Sequence, residues 1–336
     1  MAWGTPLTGA NESLQIIKEA AFNTTPSASP KGHKLPLISH GLGYSRDKGG
    51  SRVLWGTPNP TKNPRGLKKA GGQIVMPVGI KSFGLMSYFL MTEYAKAGDD
   101  APYTHTFKIG TTAKKSFAAE TWNAKGGASS TGAGDVLLGC MLSSLEIPLR
   151  PVSEELTATF QVQGTGKVEL NNTTQIDGTP DTYLDEEWCL AMAHKVQIGG
   201  TDVSYVIDGA IRIEQELEVI KAVDGTLYAA YVIPKRFRVS GNLACLIDNS
   251  DTARALATGE GETSIALIAA APVTAGHSVS VYLDEVFVEV TNVPALNDTG
   301  HREINLEWDA FYEDGANASA ARIVVVNAIA DYAAIT

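Results

Sequence analysis

The chain has 336 residues, 44% of them hydrophobic and 19% charged, so it can fill a core and is not a disordered chain. The length allows two domains of ordinary size. A formal net charge of −10 argues against a classical DNA reader, and no apolar run approaches the ~18 residues of a membrane span. The N-terminus lacks a basic and apolar leader, so no signal peptide is expected. Cys140, Cys189 and Cys245 lie scattered in apolar contexts and read as buried thiols, not bridges.

The charge is uneven. Lys and Arg outnumber Asp and Glu by 10 to 3 within 1–70 and are outnumbered 17 to 34 in the remainder. A basic segment on an acidic body suggests complementarity between copies of the chain; the plain alternative is a solvated basic loop.

In chain order, 11–21 reads as a short helix or as a strand over 14–17, and 35–44 as a strand. The stretch 45–70 reads as a long loop, since Gly49, Gly50, Gly56, Pro58, Pro60, Pro64 and Gly66 deny it regular structure. Arg46, Lys48, Arg52, Lys62, Arg65, Lys68 and Lys69 make it basic, and Trp55 adds an aromatic anchor. A loop of this length points to a function, here an arm that orders on a partner. A strand follows over 72–78. Phe83, Met86, Phe89 and Leu90 at helical spacing, with Gly98 as a stop, predict a helix over 80–96. Short strands are expected near 105–109 and 117–121, and a flexible Gly-rich turn near 126–134.

Strands are then expected over 136–149 and 155–163. In the first, Leu138, Cys140 and Leu142 share a face, Ser143-Ser144 intervenes, and Leu145, Ile147 and Leu149 resume it. Such a slip of parity needs a bulge to keep the apolar side on the core. On the second, Leu156, Ala158, Phe160 and Val162 face inward and Glu155, Thr157, Thr159 and Gln161 outward. Polar residues at 164–185 suggest a linker, and 188–198 is ambiguous.

Beyond it, 205–220 is a strand with Ile211, Ile213, Leu217 and Val219 on one face and Arg212, Glu214, Glu216 and Glu218 on the other. Asp224-Gly225 signals a hairpin. Strands over 226–233 and 237–247, a short helix over 251–258 and a strand over 264–269 follow. The stretch 278–314 then repeats the earlier pair. Val279, Val281 and Leu283 share a face, Asp284-Glu285 intervenes, and Val286, Val288 and Val290 resume it; the partner strand alternates Ile304, Leu306, Trp308 and Ala310 against Glu303, Asn305, Glu307 and Asp309. The two slips mark a diverged internal duplication, with Gly72-Gln73-Ile74 matching Gly241-Asn242-Leu243 and the extra length of the first half in its Gly/Ala/Ser-rich region. A final strand is expected over 322–326, with 331–336 loose.

No catalytic constellation stands out. The six histidines, His33, His40, His105, His194, His277 and His301, are isolated, and there is no CxxC, HExxH, GxSxG or phosphate loop. The chain therefore reads as non-enzymatic, with no cofactor or metal. The acidic rows Glu214, Glu216, Glu218 and Glu303, Glu307, Asp309 remain. Close like charges need water or cations to screen them. They read either as an ordinary wet face or as the lining of a water-filled channel that repels an anionic polymer.

Three stretches carry a family likeness: Lys18-Glu19-Ala20-Ala21-Phe22-Asn23-Thr24-Thr25-Pro26, the Gly72 strand running into the helix with Leu85, Phe89 and Leu90, and the strand around 139–145; the second half follows the same order of elements. On these the chain resembles the phage tail tube proteins (major tail proteins) of long, non-contractile, siphovirus-type tails. The resemblance implies a mainly β fold, a tandem pair of tail-tube-like β-sandwich or β-barrel domains, each with a short flanking helix, plus a long loop and terminal arms. It places the first repeat at 1–170, a linker at 171–200, the second repeat at 201–314 and a C-terminal arm at 315–336. It implies rings stacked into a hollow tube, the conduit for viral DNA during ejection, with an acidic lumen and no sequence-specific DNA contact. Two tube domains per chain imply a trimer with pseudo-sixfold symmetry rather than a hexamer. The 45–70 loop then stacks rings; the tape measure and tail-end proteins are further partners; no membrane is involved. The protein is expected in the virion tail, assembled in the host cytoplasm. A sheath-covered contractile tube shares the architecture. The competing reading is a tandem β-sandwich binding module, a virion decoration or glycan- or protein-recognising domain, with Trp55 and Trp122 as candidate platforms.

Overall fold

A computed structural model describes residues 12–27, 31–48, 65–124, 132–171, 175–183, 185–203, 206–246, 263–292, 303–312 and 317–335. Within them the first half runs β1 (Glu12–Lys18), β2 (His33–Lys34), β3 (Ser39–His40), β4 (Gly43–Lys48), β5 (Arg65–Pro77), α1 (Ser82–Leu90), β6 (Glu93–Ala97), β7 (Tyr103–Lys108), β8 (Phe117–Ala124), β9 (Gly132–Pro148), β10 (Thr157–Gly164) and β11 (Val168–Asn171). The chain continues through β12 (Asp181–Thr182), β13 (Lys195–Ile198), β14 (Thr201–Asp202), β15 (Val206–Ile220), β16 (Tyr231–Leu246), β17 (Thr263–Ala270), β18 (Ser278–Asn292), β19 (Glu303–Ala310), β20 (Arg322–Asn327) and α2 (Tyr332–Ile335). Strands hold 60% of the described residues and helices 5%, so the fold is mainly β, as expected. The helix expected over 251–258 lies outside the described residues.

The strands form two layers. The front sheet runs β3 and β4, then β5–β10–β9–β15–β16–β19–β18. The back layer is made of β1–β8–β9–β11 and of β13–β17–β18–β20–β7–β6. The two long strands β9 and β18 belong to both layers, and each bends at its parity slip. In β9, Gln161 pairs with Ser144 but Val162 with Leu142, leaving Ser143 as the extra residue. In β18, Thr263 pairs with Val286 but Ile265 with Leu283, so Asp284-Glu285 oppose one residue. Both bulges keep the apolar side inward: Leu138, Cys140, Leu142, Leu145, Ile147 and Leu149 are buried, as are Val279, Val281, Leu283 and Val286. Asp284 is held by Arg322 of β20 through two contacts of 2.9 and 3.1 Å.

The helix is shorter than its apolar spacing suggests. All nine residues of α1 are buried, as a helix apolar on every side must be. Met91 is extended (ψ 153°), and Thr92 exchanges side-chain bonds with Gly110, which turns the chain into β6. Glu93–Ala97 is a strand against β7 instead of a fourth helical turn. At the N-terminus the Glu186 carboxylate accepts from the Lys81 and Ser82 amides at 2.6 and 2.5 Å, satisfying donors that a helix leaves open. At the C-terminus the Lys114 amine donates to the Leu90 carbonyl at 2.9 Å and also to Gln215 of β15, as the helix dipole favours. Burial pushes the Lys114 amine down to about 7 and raises the Glu186 carboxyl.

Several sequence expectations are corrected. Of the two readings of 11–21 the strand holds, as β1, while the strand expected over 35–44 is replaced by the short β3 and the start of β4. The 45–70 stretch is not an open loop at its ends: β4 pairs with β5 from Gly43–Gly71 to Lys48–Arg65, a hairpin whose sequence hides it because its strands are basic instead of alternating. Instead of the two strands expected over 226–233 and 237–247 there is one, β16 over Tyr231–Leu246, with Pro234 beside a bulge. Within 171–200, Tyr183, Cys189, Ala191, Val196 and Ile198 enter the core. The tail is not loose either. β20 is paired on both sides, with β18 and β7, and Tyr332 is fully buried. Its hydroxyl donates to the Lys81 carbonyl at 2.7 Å, and it lies so close to Gly84 that a Cβ there would sit 2.2 Å from the hydroxyl oxygen.

Candidate functional site

The front sheet has one dry and one wet face, and its cross-strand rows show which residues share each. One inward row reads His40–Ile74–Phe160–Leu145, and continues across the middle of the sheet as Ile213–Val239–Ala310–Val286. All are buried except the half-buried His40 and Ala310. A second inward set holds the pair Met76–Ala158 and the run Ile147–Ile211–Gly241–Trp308–Val288. The outward row between them reads Ser39–Val75–Thr159–Glu146, then Arg212–Ser240–Asp309–Phe287. The first inward row and the outward row each take positions from β3, β5, β10 and β9 and then from β15, β16, β19 and β18. Along these rows Met76 stands level with Gly241.

The wet face holds both acidic rows. Glu214, Glu216, Glu218, Glu307 and Asp309 are exposed there and Glu303 is half-exposed, with β15 and β19 on either side of β16. The face is not bare acid, however. Lys235 bridges Glu216 and Glu218 at 3.3 and 3.0 Å, Arg238 reaches Asp309 at 3.4 Å, and Arg212 reaches Glu146 at 3.2 Å. Arg238 also stands opposite Glu214. The side chains that relieve the like-charge repulsion come mostly from β16, whose period-2 pattern is broken at the Pro234 bulge. These pairs are exposed and individually weak, and acids remain in excess. The wet face of the first half is less charged: Gln73, Thr157, Thr159 and Gln161 are neutral, and its Glu146 is paired with Arg212.

The basic hairpin lies at the far end. Arg46, Lys48, Arg65, Lys68 and Lys69 are on β4 and β5; Arg46 donates to the Gly66 carbonyl at 3.1 Å and Lys69 pairs with Asp47 at 3.1 Å. Arg52, Trp55 and Lys62 lie outside the described residues. The hairpin's root packs on the β15–β16 turn, where the Lys68 amide donates to the Leu227 carbonyl at 2.7 Å. Trp122 is buried at 2% exposure, which removes it as a binding platform.

Among the described residues no group of His, Cys, Asp and Glu is placed to hold a metal ion, and no helix is long and apolar enough to cross a membrane. Burial pushes the Cys189 and Cys245 thiols up to about 12 and the Cys140 thiol higher still, so none is poised as a nucleophile. No curated protein matches the chain. Residues 9–310 match the family described as phage tail tube protein. The chain belongs to the phage tail tube protein family, whose members assemble with themselves into the tube of the virion tail.

Proposed function

We propose that three copies of the chain close a ring of pseudo-sixfold symmetry and that rings stack into the hollow tube of a long, non-contractile tail. The observation that carries this reading is the repeated four-position row, His40–Ile74–Phe160–Leu145 followed by Ile213–Val239–Ala310–Val286. One chain then supplies two tube domains, at 1–170 and 201–314, joined through 171–200 and locked by the β20 strand of 315–336. The wet face of the front sheet lines the lumen. Its acidic excess on Glu214, Glu216, Glu218, Glu303, Glu307 and Asp309 repels the phosphate backbone and lets viral DNA slide during ejection without being held. Charge in the lumen then alternates around the ring with threefold symmetry, because the first half's wet face is less charged.

The basic hairpin, with Arg46, Lys48, Arg52, Trp55, Lys62, Arg65, Lys68 and Lys69, meets the acidic body of the adjacent ring. The tape measure and tail-end proteins occupy the lumen and the ends of the tube, which is assembled in the host cytoplasm. No step calls for a cofactor or catalysis. Purified protein is expected to form hollow tubes in negative-stain micrographs above a threshold concentration; monomers at every salt and temperature would contradict the reading. Deleting 47–64 should leave rings and abolish stacking, whereas normal tubes from that variant would remove the hairpin from the account.

A further inference from the structure

The stretch 18–26, one of the three that carry the family likeness, folds into a tight loop at the end of β1. The Glu19 carboxylate is its hub. It is buried and accepts from the Gly139 amide at 2.7 Å, the Asn23 amide at 3.0 Å and the Ser116 hydroxyl at 2.6 Å. Asn23 takes a left-handed backbone (φ 60°), which asparagine tolerates. Its side-chain oxygen lies 2.9 Å from the Thr165 hydroxyl, and its carbonyl accepts from the Lys167 amine at 3.1 Å. The loop is thereby tied to the segment before β8, to β9 and to the β10–β11 turn. Its Phe22 ring stacks on Tyr231 of β16, with centroids 6.2 Å apart and planes 12° apart.

Tyr231 lies on a part of the front sheet that has left its neighbours behind. β15 pairs with β9 only over 210–214, and β16 pairs with β19 only from Val239 onward. Among the described residues, 215–220 and 231–238 therefore form a two-stranded ribbon with no strand on either side, about 25 Å long at ~3.3 Å per residue. Two strands alone are marginal in water. Where β9 bends away, a cleft of about 680 Å³ separates Leu67, Ala70 and Gly164 of the first half from Leu217 and Val219 of the ribbon. The ribbon is fastened across this cleft at both ends. At its base Gln215 accepts from Lys114. At its far end the Lys68 amide donates to the Leu227 carbonyl at 2.7 Å, the Ala229 amide donates to the Thr165 carbonyl at 2.8 Å, and Tyr231 meets Phe22.

We propose that the 19–25 loop is the positioning element of this ribbon: Glu19 sets the loop on the first half, and Phe22 holds Tyr231 so that Glu216, Glu218 and Lys235 stand in line with the rest of the wet face. The stack acts where its leverage is greatest, since Tyr231 begins β16 and pairs with Ile220, the last residue of β15. Tyr231 is 61% exposed, so the contact adds little to the core and acts on where the ribbon stands. The ion pairs of Lys235 with Glu216 and Glu218, at 3.3 and 3.0 Å, balance charge within the ribbon and give it no grip on the first half. The contact itself belongs to the single chain; its effect on tubes rests on the ring reading.

Hydrogen exchange on the unassembled full chain tests the proposal. Phe22→Ala should speed exchange of the ribbon amides at 217–220 and 231–233 roughly fivefold or more, the worth of an aromatic pair with its buried area, and leave 141–146 and 159–163 unchanged. Phe22→Tyr keeps the ring and should restore the slow rates, whereas Phe22→Leu should not. Tyr231→Ala should match Phe22→Ala, and the double variant should add nothing, as coupled residues behave. Unchanged ribbon exchange in Phe22→Ala, or a rise shared equally by 141–146 and 159–163, overturns the proposal. If Phe22→Ala does not fold, Tyr231→Ala, at an exposed position, is read in its place. Tubes are the second readout: Phe22→Ala should lower their yield roughly fivefold or more, and Phe22→Tyr should restore it. Normal tubes from a chain with fast ribbon exchange overturn the role in assembly. Absence of tubes from the unaltered protein overturns the ring reading and leaves the exchange result to decide.

Discussion

The two halves of the front sheet solve one packing problem with different residues. At matching positions of an inward row the first half has Met76 beside Ala158 and the second has Gly241 beside Trp308. Large and small have changed places, and the volume between the layers is filled in both. The outward faces have drifted further: Gln73, Thr157, Thr159 and Gln161 on one side, Glu214, Arg238, Glu307 and Asp309 on the other. Register depends on the inward rows, because a one-residue slip would turn the whole apolar set to water. Side chains on the wet face are held by no such constraint.

The largest expected effect strikes the exchanged pair. Trp308→Ala should cost about 3–5 kcal/mol in urea unfolding, since Trp308 is 3% exposed and Gly241 offers nothing to fill the cavity. Gly241→Ala should cost about 1–3 kcal/mol by overpacking, with the new Cβ 2.3 Å from the Ala210 carbonyl oxygen. A loss below ~1 kcal/mol from Trp308→Ala would break the claim that both halves rest on filled rows.

Next comes the lysine that ties α1 of the first half to β15 of the second. The folded pKa of Lys114 is lowered to about 7 from 10.5, so between those values the unfolded chain binds the extra proton. Stability should therefore rise with pH above 7, by up to ~1.4 kcal/mol per unit from this group, and the burial penalty is fully felt below it. Lys115, pushed down to about 8, adds in the same sense at higher pH. Lys114→Met should flatten the rise between pH 7 and 8 in thermal melts; an unchanged slope would show that the amine is not desolvated.

A smaller effect is expected at the helix start. Glu186→Ala should cost about 1 kcal/mol, as loss of an N-terminal cap does, and Glu186→Gln less, because its amide oxygen still accepts from the Lys81 and Ser82 amides. The smallest concerns the wet face. Glu303→Lys, Glu307→Lys and Asp309→Lys should each shift stability by no more than ~0.5 kcal/mol and leave tubes intact, yet slow DNA release from particles. Unaltered release would assign these carboxylates to an outer surface.

Much of this was legible in the sequence where the signal is local. The slips at Ser143-Ser144 and Asp284-Glu285 showed the two bent strands, and alternation on 155–163 and 303–310 gave their partners and the acidic face. Contacts between distant segments leave no such trace. β20 lies between β18 and β7, Tyr332 beneath Gly84 and Glu186 at the start of α1, each joining segments that no local period connects. In the sequence the hairpin β4–β5 reads as an open arm because glycine and lysine obscure a strand pattern that only its partner reveals. Lys235 and Arg238, which temper the acidic face, follow a bulge that breaks the alternation by which they would have been placed.

Cryo-electron microscopy of tubes grown from the purified protein tests the central claim most directly. The account predicts three copies of the 35.6 kDa chain in each ring, with the face bearing Glu214, Glu307 and Asp309 turned to the lumen. Six copies per ring, or a lumen lined by another surface, would contradict it.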